Sequence, residues 1–368
     1  MRRFISDIWR VVTEEWRSVW HDEGVVLIVV FALFIYGISY SLGYGGEVLE
    51  EVPVAVVGRQ GGIGRKLTRT LDSSPKIEVA YELSDMGEAE QLLRNRKVWG
   101  VVALSADLDE DILAGRQSRV AILGDASYFL AYREVAEGAV AAIQQMNAMI
   151  IAQRNGAYRP PIVYEQRNLF NPSLGYGVFV MPAIILLIVQ QTVLIGVGMV
   201  SATRRERGVH LPSQSPLAIT VGRTLAYLAI YAVTLGFMLT VHYSLFDYPM
   251  RGEWWQCVAV VAPYLLAVIL LAQAVGALFR RRESSIVWLL WLSIPFLLIS
   301  GVSLPPQAFP QWLYVVGRVV PSSAAVDAWI AIQSRGASLS DIAPQLMLLC
   351  SLVILYGLLA LRANKTSS

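Results

Sequence analysis

Residues 58–66 read Gly-Arg-Gln-Gly-Gly-Ile-Gly-Arg-Lys, a glycine-rich, cationic stretch between a β-branched run and a helical pattern. Such a loop can cradle phosphate, because backbone N–H groups at a helix N-terminus attract anions. The spacing fits neither common phosphate loop. A P-loop needs Gly directly before Lys and Ser or Thr after it. None of the four lysines, Lys66, Lys76, Lys97 and Lys365, follows a glycine. A dinucleotide loop needs a small residue where Leu67 stands. A structural turn is the expectation, and ATP hydrolysis through a P-loop of this chain is excluded. Asp107, Asp109, Glu110 and Asp111 resemble a metal cluster but lack calcium-loop spacing and its glycine. They suit a helix N-terminus, where acids are favoured. His21, His210 and His242 form no metal-spaced pair, and Cys257 and Cys350 have no evident His partner. No Gly-x-Ser-x-Gly occurs. No catalytic residue, cofactor site or metal site is expected.

The remaining polar candidates lie in apolar surroundings. Gln190, Gln191, Gln273, Ser293 and Ser300 interrupt long uncharged stretches. Buried amides and hydroxyls there either hold helices together or line a translocation path. Arg223, at the start of such a stretch, is expected to snorkel to the interface.

Those stretches define the architecture. Charge is absent from residues 24–46, 168–203, 224–246, 254–279, 284–317 and 342–361. Each can hold the roughly 20 apolar residues of a membrane-spanning helix. The chain has 368 residues, is 55% hydrophobic and carries a net charge of +2, which implies no nucleic-acid partner. Its mean hydropathy of +0.51 excludes an ordinary soluble domain. Six spans follow, with arginines before the first (Arg2, Arg3, Arg10, Arg17) and after the second (Arg204, Arg205, Arg207). Arg280, Arg281 and Arg282 follow the fourth, and Arg362 and Lys365 the sixth. By the positive-inside rule both termini are cytoplasmic in a cell (inner) membrane.

More than half of all charges fall in residues 47–167, which would then be an extracytoplasmic domain. Strand patterns at Val52–Val57, Ile77–Tyr81, Val98–Leu104 and Val120–Leu123 alternate with helical ones at Ile63–Leu71, Met86–Arg94 and Leu108–Leu113. Ser127 is placed to cap a long helix ending near Arg154, and Ile162–Arg167 is extended. The alternation predicts an α/β domain with a mainly parallel sheet. Residues 1–23 form an amphipathic interfacial helix, with Phe4, Ile5, Ile8, Trp9, Val12, Trp16, Val19 and Trp20 on one face. Asp22, Glu23 and Gly24 mark its corner. Residues 168–362 make the remaining membrane domain, with short outer helices within 305–340, and residues 363–368 a cytoplasmic tail.

This order of parts resembles the permease subunit of ABC-2 type exporters, specifically the kind with an enlarged external domain. "VPVAVVGRQGGIGRKLTRTLDSSPKIEVA" and "EAEQLLRNRKVWGVVALSADLDEDILAG" are similar to the external domain of that family. "RNLFNPSLGYGVFVMPAIILLIVQQ" is similar to its return into the membrane, and "RRERG" to the turn after the second span. "LISGVSLPPQAFPQWLYVVGRVVPSSAAVDAWIAIQSRGASLSD" is similar to the segment before its last span. The resemblance implies an export subunit served by separate ATP-binding subunits and paired with a second permease, identical or paralogous, with a periplasmic adaptor protein as a further candidate partner, within membrane lipids. It also implies that Arg204, Arg205, Glu206, Arg207 and Gly208 form part of the ATPase contact. One departure concerns that contact: the family continues with threonine and a further glutamate, where Val209, His210, Leu211 and Pro212 stand here. Two other readings stay open, an envelope receptor or docking protein without transport and a membrane-embedded enzyme.

Overall fold

The computed structural model describes residues 2–44, 50–58, 61–95, 97–124, 129–153, 176–209, 211–213, 215–248, 250–300 and 309–365. The chain forms two compact units, Met1–Gly45 with Asn168–Ser368, and Gly46–Arg167.

The first unit begins with α1 (Arg2–Trp20). Its apolar residues divide between two sides. Val11, Val12 and Val19 are buried, whereas Phe4, Ile5, Trp9 and Trp20 are exposed. One side thus packs on protein, and the other carries the bulky side chains that suit a membrane interface. The Asp22 carboxylate accepts from the Val25 N–H and caps α2 (Glu23–Val26). A π turn (Leu27–Phe31) then leads into α3 (Ala32–Tyr44).

The second unit runs β1 (Val52–Val57), α4 (Gly62–Asp72), β2 (Ile77–Leu83), α5 (Met86–Arg94), β3 (Gly100–Leu104), α6 (Leu108–Leu113), β4 (Val120–Gly124) and α7 (Phe129–Gln153). The sheet order is β2-β1-β3-β4, parallel except for antiparallel β4. Both faces of β1 are covered, which is why it reads as an unbroken apolar run. Val52, Val54 and Val56 pack with Leu67, Leu71, Val135 and Ala139. Ala55 and Val57 pack with Ala89, Val98 and Val101 on the other side. β3 starts at Gly100 rather than Val98. The expected cap at Ser127 and extended piece at 162–167 lie outside the described residues.

Two suspected chemical motifs satisfy each other here. Gly58 has φ +134°, and a Cβ there would lie 2.7 Å from the Leu104 carbonyl oxygen. The Asp109 carboxylate accepts from the Ile63 N–H in the first turn of α4. The chain's own acid therefore sits where a phosphate would bind. Asp109, Glu110 and Asp111 lie in the first turn of α6, and no metal-holding group of three or more His, Cys, Asp or Glu occurs among the described residues.

The first unit resumes with α8 (Tyr176–Glu206) and α9 (Pro216–Phe237), the latter passing through a π turn (Met238–His242) into α10 (Tyr243–Leu245). Then come α11 (Trp254–Gly276), α12 (Arg282–Trp291), α13 (Ser293–Ile299), α14 (Gln311–Gly317), α15 (Pro321–Arg335) and α16 (Ala343–Lys365). α8 lies at the centre, packed on α3, α11, α12 and α15.

Among the described residues, seven helices are long and apolar enough to cross a membrane, or up to eight counting the pair Gln311–Gly317 and Pro321–Gln333, bent by 88°. The helix beyond the six charge-free stretches is Ala131–Ala152, within α7. It lies in the second unit and buries Val135, Ala139, Ala142 and Met146 in the core beneath the sheet. The fifth stretch, expected as one span, holds the span-length helix Arg282–Ile299, interrupted only at Leu292 between α12 and α13. Pro295 explains the break, because its ring clashes with the carbonyl four residues back, that of Trp291.

A separate core predicts that the second unit folds by itself. Residues 46–167 expressed alone should give mixed α/β circular dichroism and a cooperative thermal transition. A featureless melt would show that the unit depends on the rest of the chain.

Candidate functional site: a buried ionic hub

Glu15 falls on the protein-facing side of α1, four residues after Val11 and four before Val19, and is 0% exposed. A lone carboxylate there would be costly, and two arginines offset the cost. Arg223 of α9 donates from Nε to Glu15 Oε1 at 3.0 Å, and Arg204 of α8 pairs with Oε2. Burial pushes the Glu15 carboxyl up, but the attraction of Arg204 and Arg223 outweighs this and holds it below its ordinary 4.5.

The network spreads from Arg223. Its guanidinium also donates to Ser201 Oγ at 2.7 Å and to Asn364 Oδ1 at 3.5 Å. Asn364 donates to Thr220 Oγ1 at 2.9 Å and Gln273 Oε1 at 3.2 Å. Gln273 donates in turn to Thr224 Oγ1 at 2.9 Å. One connected set of hydrogen bonds thus joins α1, α8, α9, α11 and α16. Because each buried polar group has partners on other helices, displacing one helix leaves groups on several unsatisfied.

A second clasp lies beside the first. The Arg282 guanidinium binds both oxygens of Asp22. This hydrogen bonding, opposed by partial burial, holds the Asp22 carboxyl below its ordinary value. Arg205 donates to the carbonyls of Ala277 and Phe279. The Glu206 carboxylate accepts from the Arg282 backbone N–H at 2.9 Å, at the start of α12. Of residues 204–208, Arg204, Arg205 and Glu206 therefore all have partners within the unit. Arg207 and Gly208 are exposed, and Gly208 turns the chain with φ +64°.

The amides singled out in the sequence make contacts between helices. Gln190 accepts from the Ser322 N–H of α15 at 3.0 Å, Gln191 donates to the Leu289 carbonyl of α12, and Gln273 joins the hub. Ser293 and Ser300 instead bond to Leu290 and Leu297, three residues back. Arg223 does not snorkel as expected; it is 4% exposed, because Glu15 meets it inside. Asn364, assigned from sequence to a tail, lies buried in α16. Glu15 was missed, although an acid inside a buried valine stripe is its own signal. At His242 a second polar group forms: Nε2 lies 2.9 Å from Ser41 Oγ, which also accepts from Tyr248 OH at 3.0 Å.

Removing Glu15 should be severe. Glu15→Ala leaves two buried arginines without their acid, a loss of about 3–5 kcal/mol in comparable pairs. The detergent-purified variant should melt well below the parent, whereas Glu14→Ala, which removes only an ion pair to the exposed Arg17, should change little. With a lowered native pKa, the Glu15 contribution is complete above the ordinary 4.5 and is lost as pH falls through the lower native value. The melting difference between parent and variant should therefore persist at neutral pH and shrink only in strong acid.

A family model described as ABC-2 family transporter protein matches residues 24–362. The chain is similar to the inner membrane transport permease YhhJ of Escherichia coli strain K12, 22% identical over a 377-residue alignment that takes in 99% of this chain and 98% of the relative. It is also similar to the probable multidrug ABC transporter permease YbhR of the same organism, 24% identical over 177 residues, 47% of this chain and 48% of the relative. With the family model matched from within α2 to the last turn of α16, this chain belongs to the ABC-2 family of transporter proteins.

Proposed function

We propose that the chain is the transmembrane permease of an ABC exporter, moving its substrate outward with ATP hydrolysed by separate ATP-binding subunits. A second permease, identical or paralogous, completes the path. In this reading six spans cross the inner membrane. Both termini and residues 201–214 are cytoplasmic, and residues 47–167 are outside. The arginine asymmetry of the sequence supports that orientation.

The observation that carries the reading is the connection of residues 204–206 to the hub. A force on this turn reaches α1 and α9 through Arg204 and Glu15, and reaches α11 and α12 through Arg205 and Glu206. A partner that binds this turn differently in its two nucleotide states can bias two arrangements of the helix ends, and only such differential binding shifts the equilibrium. The contact itself falls to the exposed part of the turn, Arg207 and Gly208, with the internally held residues transmitting it.

Arg207 is the sharper probe, because changing Glu206 would also remove its hydrogen bond to Arg282. Facing an acidic partner surface, Arg207→Glu creates a like-charge contact costing several kcal/mol. The variant, co-expressed with an ATP-binding subunit that co-purifies with the parent chain, should insert and melt normally. It should weaken co-purification or substrate-stimulated ATP hydrolysis by roughly tenfold or more. Normal assembly and turnover would remove this turn from the contact.

A further inference from the structure

A cavity of about 320 Å³ lies among the end of α13, the bent pair α14–α15 and the start of α16. Phe309, Tyr314 and Leu348 give it apolar walls, and Arg318, Asp327 and Gln345 bring charge and hydrogen-bonding capacity. Gln345 Nε2 donates to Asp327 Oδ2 at 2.6 Å. That bond fixes the amide orientation and leaves Gln345 Oε1 buried with no hydrogen-bond partner. An orphaned acceptor beside a carboxylate calls for a donor. Arg318 supplies the opposite charge. Its guanidinium lies 5.7 Å from the centroid of the Tyr314 ring, and none of the ion pairs among the described residues includes it.

We propose that this cavity binds the zwitterionic head of an amphiphile, its ammonium on Asp327 and Gln345 and its anionic group on Arg318. An ammonium offers three donors and no acceptor, matching the carboxylate and the free amide oxygen. A phosphate or carboxylate is the natural partner of a guanidinium. A purely cationic ligand would meet Arg318, and a purely anionic one Asp327. The volume is at the low end for ligand sites, which begin near about 300 Å³, so it holds a headgroup rather than a whole lipid. Apolar chains would lie against Trp312, Val315 and Val316, exposed on α14, which also carries Tyr314 and is followed by its C-cap residue Arg318. The head chemistry is shared by a phospholipid such as phosphatidylethanolamine and by a small solute such as phosphoethanolamine.

The inference deepens the exporter reading, resting on it for the cavity's place on the outer side, where a substrate would pause before release. Binding can be tested without an ATP-binding subunit. The full-length chain in mild detergent is incubated with phosphatidylethanolamine, phosphatidylglycerol or diacylglycerol, and retained lipid is counted by native mass spectrometry. Selective retention of phosphatidylethanolamine is expected. Asp327→Asn and Arg318→Gln should each weaken it by about tenfold or more, the usual scale for a lost charged hydrogen bond. Arg318 is exposed, so its replacement disturbs no core and keeps the test valid if Asp327→Asn folds poorly. Competition by phosphoethanolamine would identify the head as sufficient, and failure to compete would assign the site to the lipid. Equal retention of all three lipids, or selectivity unchanged in both variants, overturns the site. That result with ATP hydrolysis still stimulated would leave the exporter reading standing. Lipid selectivity without any ATPase association would do the reverse.

Discussion

The membrane unit is organised around one carboxylate placed between two arginines where water does not reach. Desolvating three charges is unfavourable, and their mutual attraction compensates only in good geometry with the remaining donors satisfied. The structure meets that condition by giving Arg223 Ser201 and Asn364 as further acceptors. Each acceptor comes from a different helix, so charge satisfaction becomes a constraint on helix placement. Close approach is part of the same constraint. A Cβ at Gly222 would lie 2.7 Å from Val11 Cβ and 3.0 Å from the Ile8 carbonyl oxygen. Only glycine lets α1 lie near enough to α9 for Glu15 to reach Arg223, and the Trp16 indole closes the same interface by donating to the Ala226 carbonyl at 3.0 Å. Small residues bring helix backbones together in membranes in this way.

The amphipathic N-terminal helix is therefore more than an object resting on a membrane surface. Its two sides do different work. The exposed Trp9 and Trp20 suit an interface, while Val11, Glu15 and Val19 are packed into protein. Asp22 continues the attachment by binding Arg282 at the start of α12. A helix held at both middle and end moves with the ends of the spans it touches. This gives the turn after α8 mechanical reach, since Arg204 shares its acid with Arg223.

What could be read in advance followed the strength of the local signal. Long uncharged stretches marked the apolar helices, and β-branched runs between turn residues located β1 to β4 to within about two residues. The last strand's antiparallel direction had no local mark, because direction is set by how α7 and the loops route the chain. The one-residue interruption between α12 and α13 within the fifth stretch is signalled by Pro295. At the site, residue types misled where burial reversed their usual behaviour. Arg223 at a span end suggests snorkelling, and only the opposing position of Glu15, 208 residues away, makes an interior location favourable. Glu206 was expected to face an ATP-binding partner, yet within the chain it accepts from the first backbone N–H of α12. The three glutamine candidates were identifiable because an amide in an apolar stretch needs a partner, and each found one on another helix or in the hub.

The two ends of the membrane unit solve the burial of polarity differently. The hub end satisfies its charges internally, with carboxylate, guanidinium and amide groups linked across five helices. Near the α14–α15 bend, Asp327 is held by a single amide, that amide's oxygen is orphaned, and Arg318 rests over an aromatic ring. A network whose charges are paired across several helices resists change, because moving any member leaves others unpaired. A partly satisfied one retains the capacity to accept a ligand. In the proposed exporter, one end would stay coherent against the ATP-binding partner while the other exchanges cargo, and that asymmetry suits it. It locates rigidity where Glu15, Arg204 and Arg223 meet, and adaptability where Arg318 and Asp327 share a cavity.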